Sequence, residues 1–320
     1  MSRKPTDFKT AKFTVTPAAK AFQEFRKKLE AEGYFERNWY IEAFYSGLCL
    51  AMIVVGTMIA SAHPVVASFM LGVGLQQAGW LGHDYGHGRG AGCSKMNALY
   101  AAIIGFSPSW WSHKHNTHHC FPNRYEMDSD IHNEPIIHLW FPKDGSDNWY
   151  RRYQHIYYPF AYSFLHISWR MQSLLFIIGS GNWTERVVMF FGYVWFFSLP
   201  LAVAVASLFI AGFLVAIVVT CNHETEDIIA TDANYCFTTD QFLSTRGVRC
   251  DDPITEYLFG GMQYQLEHHL FPTMPRYYFP KLRPIIKQFA EKHGLPFKVS
   301  GVYEIIRLNY NVIKTYSGEY

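Results

Sequence analysis

Two long stretches of this chain contain no Lys, Arg, Asp or Glu. One lies between Glu42 and Asp84, and the other lies between Arg186 and Glu224. A helix that crosses a bilayer needs about 20 apolar residues, so each stretch, about 40 residues long, is sufficient for two crossings. Each stretch is also interrupted by a proline-containing break. The pattern therefore predicts two helical hairpins, with spans at about 39–61, 64–82, 185–199 and 201–221.

The position of the basic residues predicts the orientation of these hairpins. Every Lys and Arg lies outside them, and the hairpin tips carry none. Because basic segments stay on the cytoplasmic side, both termini and the middle segment are expected to face the cytosol. We therefore predict an all-α integral membrane protein with four transmembrane helices in two hairpins. A cytosolic helical cap, formed by 1–38, 83–184 and 222–320, completes a single domain over 1–320.

Shorter patterns predict the elements of the cap. A polar helix is expected near 17–32, along the membrane surface. Residues 97–111 are apolar but too short to cross, which favours an interfacial or re-entrant helix. Residues 151–184 mix apolar side chains with Arg170, which favours one or two amphipathic surface helices. The remaining expectations are a loop at 121–150, irregular structure at 234–260 and a basic helix at about 281–293.

Composition narrows the classes of function. The chain has 320 residues, of which 49% are hydrophobic and 17% charged, with a net charge of +2. Soluble domains usually have about 25% charged residues, and no basic stripe suggests a nucleic-acid partner. The six cysteines include no Cys-x-x-Cys pair, which excludes a zinc ribbon or a thioredoxin-type motif. Their low density fits a reducing, cytosol-facing environment.

Histidines form three short boxes and one single position. The boxes are His83-Asp-Tyr-Gly-His87, His115-Asn-Thr-His118-His119 and Gln265-Leu-Glu-His268-His269, and the single is His223, which follows Asn222. Helical positions i, i+3 and i+4 share a face, so each box presents its imidazoles on one stripe. Neutral imidazole is a common metal ligand, and all-nitrogen sites suit zinc, copper, iron or nickel. Eight imidazoles are too many for one ion and suit two.

The predicted topology brings these histidines together. The second and fourth spans deliver box one and His223 to the cytosolic membrane surface, and the cap can lower the other boxes onto them. Carboxylates beside the boxes are candidates to orient the imidazoles: Asp84, Glu267, Asp130 and Asp128. Aromatic residues near the boxes are candidate walls of an apolar tunnel: Trp80, Tyr85, Trp110, Trp111, Phe259, Tyr264 and Phe271.

The order and spacing of the boxes around two hairpins resemble the membrane fatty acid desaturase family, over about residues 40–300. Gln265, within Gln-Leu-Glu-His-His-Leu-Phe-Pro-Thr-Met-Pro275, is similar to the front-end subgroup, which inserts a double bond between an existing one and the carboxyl end. The resemblance implies a di-iron centre with O2 as co-substrate. Its implied ligands are His83, His87, His115, His118, His119, His223, His268 and His269, with Gln265 as a weak or water-mediated ligand and Asn222 beside it.

The resemblance also implies partners. The substrate is expected to be a fatty acyl lipid or an acyl-CoA within membrane lipid. Front-end enzymes commonly carry a fused cytochrome b5 domain with a His-Pro-Gly-Gly motif, which is missing from this sequence, and residues 1–38 are too few to hold it. A separate electron donor, cytochrome b5 or a ferredoxin, is therefore expected. The expected location is the endoplasmic reticulum, with the site facing the cytosol. A plastid or cyanobacterial membrane stays open, because the N-terminus lacks a signal peptide but is basic.

Two alternatives stay open from the sequence. A di-iron lipid hydroxylase would use the same oxidant, because both reactions remove hydrogen from an unactivated methylene. Iron suits this chemistry because it is redox-active, whereas zinc is not. A non-catalytic membrane metal carrier or sensor is the alternative of another class. Transport would require ionisable groups inside the spans, and the two charge-free stretches contain no acidic or basic side chain other than histidine.

Overall fold

A computed structural model of the chain describes residues 12–142, 147–179, 182–231 and 233–318. The described residues are mostly helical. The helices are α1 (Pro17–Ala31), α2 (Trp39–Ile59), α3 (Pro64–His87), α4 (Ala91–Ile104), α5 (Pro108–Cys120), α6 (Gln154–Ser163), α7 (Leu165–Gly179), α8 (Trp183–Phe197), α9 (Leu201–His223), α10 (Phe237–Ser244), α11 (Pro253–Phe259), α12 (Gln265–Leu270), α13 (Phe279–His293) and α14 (Val302–Thr315). Short 3-10 turns cover Trp149–Tyr153, Met262–Tyr264 and Arg276–Tyr278.

Two three-residue strands accompany these helices. Strand β1 (Gly247–Arg249) pairs in parallel with β2 (Val299–Gly301), with Gly247 opposite Val299. Parts of the predicted segments lie outside the described residues: the cap ends at 1–11 and 319–320, residue 232 of the cap, the loop at 143–146, and 180–181 of the segment 151–184.

Capping residues set the start of the helices that carry or flank the boxes. The Asn38 side chain accepts hydrogen bonds from the backbone N–H groups of Tyr40 and Ile41 at the start of α2. Ser107 caps α5 by accepting from Trp110 N, and Pro108 follows at the first helical position. Such caps satisfy backbone donors that a helix leaves unpaired. The helix that carries box two therefore begins at Pro108, directly after its capping residue Ser107.

In the part of the chain described above, three helices are long and apolar enough to cross a membrane: α2, α3 and α9, with 21, 24 and 23 residues. They correspond to three of the four predicted spans, and the mostly helical, membrane-protein character is confirmed. The remaining predicted span, 185–199, corresponds to α8. This helix has 15 residues, fewer than the roughly 20 that cross a bilayer. It nevertheless exposes Phe190, Phe191 and Phe197. The four-span count and the two-hairpin arrangement stay predictions.

Glycines allow the central helices to approach closely. A Cβ added to Gly72 on α3 would lie 2.5 Å from Ile210 Cγ2 of α9, and one added to Gly74 would lie 2.8 Å from Ile53 Cδ1 of α2. On α9, a Cβ at Gly212 would collide with the backbone carbonyl of Ser163. Small residues at such contacts are typical of helix packing in membranes. The contact at Gly72 holds α3 and α9 side by side, so that their C-terminal ends lie together.

The predicted single helix at 97–111 is wrong. Helix α4 ends at Ile104, and Gly105 follows in the left-handed conformation with φ of 75°. Helix α5 begins three residues later at Pro108. A left-handed glycine ends a helix and a proline at the first position begins one, so box two lies within α5 instead of after a longer apolar helix.

Residues 151–184 contain the helices α6 and α7, as expected, but the amphipathic interpretation of this segment is wrong. Arg170 is buried, its Nη2 donates to Ile103 O at 3.2 Å, and its guanidinium lies 4.2 Å from the Phe196 ring centroid. The exposed side of α7 instead carries Met171 and Leu175. Arg170 faces inward because the carbonyl groups at the C-terminal end of α4 attract its positively charged guanidinium. The polar side chain therefore faces inward and the apolar side chains face outward.

The segment expected to be irregular, 234–260, forms α10, β1 and α11, and the C-terminal tail forms β2 and α14. Strand β1 depends on pairing with β2, about fifty residues away, which local sequence patterns do not reveal. The predicted helices near 17–32 and 281–293 are confirmed as α1 and α13. Helices α1 and α13 pack together in one apolar cluster with residues of box three's helix and of the segment that follows it. The buried members of this cluster are Phe22, Leu29, Phe242, Leu266, Leu270, Phe271, Met274, Phe279, Leu282, Ile286 and Ala290.

We expect Gly212→Ala to destabilise the protein, because the added methyl group meets a backbone carbonyl that cannot rotate away. Overpacking of this kind costs about 1–3 kcal/mol. Thermal melting in detergent should therefore occur at a lower temperature than for the unaltered protein. Gly47→Ala is the matched control, since a Cβ at Gly47 meets nothing within 4 Å. Equal melting of both variants would show that α6 and α9 do not pack as described.

Candidate metal centre

The C-terminal ends of α3 and α9 form the floor of the candidate site. His83 and His87 lie on the last two turns of α3, and His223 is the last residue of α9. Helix α5 brings box two to these ends, and α12, whose six residues are all buried, brings box three. All eight predicted imidazoles therefore converge at one level of the molecule.

The eight imidazoles form two groups in which the potential ligand atoms lie within 4.8 Å of one another. The first, here called the five-histidine cluster, contains His83, His87, His115, His119 and His268. The second, the three-histidine cluster, contains His118, His223 and His269. Boxes two and three each contribute to both clusters.

In the five-histidine cluster the Nε2 atoms face one another. The Nε2 atoms of His83 and His115 are 2.7 Å apart, and that of His119 lies 3.0 Å from His115 and 3.0 Å from His268. The Nε2 atom of His87 is buried and has no hydrogen-bond partner among the described residues. Nitrogen atoms from three different elements thus share one small volume.

In the three-histidine cluster, neighbouring oxygen atoms fix the tautomers. The Nδ1 atom of His118 is 2.9 Å from Asp128 Oδ2, that of His223 is 3.0 Å from the carbonyl of Ser244, and that of His269 is 2.9 Å from Gln241 Oε1. A carbonyl oxygen or a carboxylate only accepts hydrogen bonds, so each Nδ1 carries the proton. In the neutral form of each ring, the lone pair is therefore on Nε2.

Burial determines the charge of most of these rings. Burial, followed by the neighbouring imidazoles, holds the pKa of His115, His119, His268 and His269 well below the usual value. Burial also acts to lower the pKa of His118, but the Asp128 carboxylate outweighs it and the pKa is raised. Metal ligation requires the neutral ring. Four of the rings supplied by the cap are thus kept in the ligand-competent form.

The donor set fits two transition-metal ions. The Nε2 atom of His269 is buried without a hydrogen-bond partner among the described residues, which is costly for a polar atom unless something binds it. Imidazole nitrogen suits iron, copper, zinc or nickel and does not suit calcium or magnesium. The division into two groups matches the prediction of two ions instead of one.

Two of the four candidate carboxylates lie beside the ring of a box histidine, and the other two do not. Asp128 contacts His118 directly, and Asp130 lies 3.8 Å from the same Nδ1 while forming an ion pair with Lys114. Asp84 and Glu267, however, contact arginines. Arg37 Nη1 is 3.1 Å from Asp84 Oδ2, and Arg283 Nε is 3.0 Å from Glu267 Oε1.

The expectation that Asp84 and Glu267 orient imidazoles therefore does not match their contacts. Each is a direct sequence neighbour of a box histidine. On a helix, such neighbours point about 100° apart, so these carboxylates leave the stripe that carries the imidazoles. Their ion pairs fix the backbone of α3 and α12 instead.

Gln265 and Asn222 lie beside the three-histidine cluster. The Gln265 Nε2 atom is 2.7 Å from His223 Nε2. Asn222 Nδ2 donates to Met262 O at 2.8 Å and contacts Gln265 Oε1 at 3.3 Å. The amide of Gln265 therefore faces the histidine nitrogen that carries the lone pair.

Two contributors escaped the sequence analysis, Gln241 and the Ser244 carbonyl. Gln241 accepts from His269 and donates to the backbone carbonyl of His119 at 2.8 Å, so it joins boxes two and three. Both residues lie on α10, within the segment expected to be irregular. Helix α10 contains no histidine, and its one carboxylate, Asp240, accepts from Arg124 at 2.8 Å instead of from an imidazole, so only the fold brings Gln241 to the site.

An apolar cavity of about 510 Å³ reaches both clusters. Its lining includes His83, His115, His118, His223 and Gln265. Of the predicted aromatic walls, Trp80 and Trp111 line it. Tyr85 instead donates to Glu42 at 2.8 Å, and Phe271 packs in the cap. The arrangement can hold a long apolar molecule against the imidazoles.

Comparisons with known proteins agree with this arrangement. A sequence profile described as Fatty acid desaturase matches residues 59–301. The chain is 28% identical to the Delta(5) fatty acid desaturase fat-4 of Caenorhabditis elegans over 89% of this chain and 71% of that protein. It is 27% identical to the Delta(6)-fatty-acid desaturase fat-3 of the same organism, over 92% and 74%. It is also 27% identical to the Delta(8)-fatty-acid desaturase of Euglena gracilis, over 89% and 75%.

We expect Gln241→Leu to weaken metal binding, because His269 loses the acceptor that fixes its tautomer. Loss of such a contact typically lowers metal affinity by about 10–100-fold. Metal content of the purified protein after equilibration with a competing chelator measures the effect. Gln23→Leu is the control, since Gln23 is exposed on α1. Equal metal retention by the two variants would contradict the role of Gln241.

Proposed function

This chain belongs to the fatty acid desaturase family, and on that premise we propose that it is an O2-dependent di-iron desaturase with front-end regioselectivity. Membership makes it a membrane oxidoreductase of lipid metabolism that acts on fatty acyl chains. The proposed reaction inserts a double bond into an already unsaturated acyl chain. The observation that carries the proposal is the convergence of eight imidazoles in two clusters beside an apolar cavity.

We propose that the five-histidine cluster holds one iron ion and the three-histidine cluster holds the other. Gln265 then acts as a weak or water-mediated ligand beside His223. When bound, the irons and O2 supply the oxidant that removes hydrogen from an unactivated methylene. The all-imidazole donor set is compatible with iron, and the proposed chemistry favours iron over zinc because it requires a redox-active metal.

The chain's own residues orient the imidazoles and line the cavity with apolar surface. Asp128, Gln241 and the Ser244 carbonyl hold the Nδ1 protons and so direct three Nε2 atoms inward. The indole rings of Trp80, Trp111 and Trp169 line the cavity. Their apolar surface favours an acyl chain over water. The cavity thereby holds one stretch of the chain against the imidazoles.

The names of the related proteins support front-end regioselectivity. The relatives described above are named Delta(5), Delta(6) and Delta(8) desaturases. These names do not favour the hydroxylase or the metal-carrier alternative. The acyl carrier, a membrane lipid or coenzyme A, stays open. A separate electron donor, cytochrome b5 or a ferredoxin, and a cytosol-facing site in the endoplasmic reticulum stay predictions.

We expect His268→Ala to abolish desaturation, because it removes a nitrogen from the five-histidine cluster without altering the apolar helices. The protein should be expressed in a host with a defined lipid pool and supplied with candidate polyenes. New double bonds are then located by mass spectrometry. His113→Ala is the matched control, since His113 is exposed on α5 and lies outside both clusters.

Three outcomes would contradict this proposal. Full turnover by the His268→Ala variant would remove His268 from the site. A hydroxylated lipid made by the unaltered protein would favour the hydroxylase. Movement of metal across vesicles by a protein that leaves every supplied lipid unchanged would favour a metal carrier.

We expect Gln265→His to alter or abolish the activity, because an imidazole would add a strong nitrogen donor beside His223 where an amide now lies. Product profile and iron content per protein measure the effect. Gln263→His is a nearby control, because the Gln263 side chain hydrogen-bonds Glu256 and the backbone of Gly261 instead of a histidine. Unaltered products and iron content in Gln265→His would show that this position tolerates either ligand type.

A further inference from the structure

Gly79 differs from the other glycines of the inner part of α3. A Cβ added at Gly72 or Gly74 would collide with a neighbouring helix, and one added at Gly82 would lie 3.1 Å from Tyr100 Cβ. At Gly79 an added Cβ meets nothing within 4 Å. Close helix packing therefore explains Gly72, Gly74 and Gly82, and it does not explain Gly79.

The space next to Gly79 is the apolar cavity. Gly79 is among its lining residues, and it lies four positions before His83, so both face the same side of α3. The distance between them is one helical turn, in the direction that leads away from the cap. Gly79 thus borders the part of the cavity that continues beyond the imidazoles.

The lining of the cavity has an apolar part and a polar part. Trp80, which follows Gly79 in the sequence, and Val215, which belongs to the same apolar cluster as Trp80, are both buried lining residues. On the other side the lining includes the polar segment Ser129, Asp130, His132, Asn133 and Glu134, and Ile136 is 52% exposed. An acyl chain with a polar carboxyl-derived end would therefore enter from the polar side. Its methyl end would lie in the apolar part.

Glycine in the interior of a helix is unfavourable relative to alanine. Among the described residues, no group lies within 4 Å of a Cβ at Gly79, so the benefit of this glycine is the volume that it leaves. A side chain on this face would project into the cavity one turn beyond His83. It would occupy the space that the acyl chain needs past the reacting carbons.

We propose that Gly79 determines specificity by leaving room for the methyl-side portion of the acyl chain beyond the candidate metal centre. This inference rests on the proposed desaturase function. Larger residues at this position limit the number of carbons between the new double bond and the methyl end. They leave the carboxyl side of the chain unaffected.

The test compares substrates that share their carboxyl-side structure and differ in methyl-side length, each supplied as phosphatidylcholine and as coenzyme A thioester. For Gly79→Leu, the ratio of long-tailed to short-tailed product is expected to fall by about tenfold or more, since a pocket discriminates strongly against methylenes that it cannot hold. Gly79→Ala should give a smaller fall. Gly47→Leu is the matched control, because Gly47 also has no neighbour within 4 Å of an added Cβ but is exposed on α2.

A binding measurement separates this inference from the proposed function. Affinity of the purified protein for the same long- and short-tailed acyl chains is measured without O2, so that no turnover is needed. Gly79→Leu is expected to weaken only the long-tailed chains, and this result would support the inference even if the unaltered protein made no alkene. Equal weakening of both chain lengths, or an unchanged ratio in both variants, would overturn it. Gly79→Ala keeps the test valid, because alanine favours the helix.

Discussion

The structure depends on one constraint, that the buried imidazole nitrogens in its centre must face suitable partners. A buried polar atom that loses water without gaining a partner is costly. Acceptors from the cap satisfy Nδ1 of three rings, which leaves their Nε2 atoms free to point inward. Because the ring-bearing helices and the acceptors come from distant parts of the chain, the site exists only when the cap covers the membrane helices.

The ends of the membrane helices must be fixed before such a cap can form. Gly72 brings α3 against α9, and this contact keeps His83 and His223 at the same level. A buried ion network holds the last turns of α3: Arg37 Nη1 is 2.7 Å from Glu42 Oε1, and its guanidinium also contacts the Asp84 carboxylate and carbonyl. Charged groups near the membrane level pair in this way because isolated charges are expensive there.

The sequence predicted three of the long apolar helices and the histidines that lie together, because both signals are local. A charge-free stretch and an i, i+4 repeat can be recognised without knowing what lies nearby. The direction of Arg170 and the role of Gln241 could not be predicted in this way. Arg170 turns inward because α4 ends beside it with an accessible carbonyl. Gln241 matters only because the fold brings α10 beneath box three. Predictions therefore failed where a residue's partner comes from a distant element.

Neighbouring residues of one helix contribute to different clusters. Helix α5 directs His119 to the five-histidine cluster and His118 to the three-histidine cluster, and α12 divides His268 and His269 in the same way. Any rotation of either helix would therefore displace imidazoles of both clusters at once. The geometries of the two clusters are consequently linked, so that a displacement at one cluster is transmitted to the other.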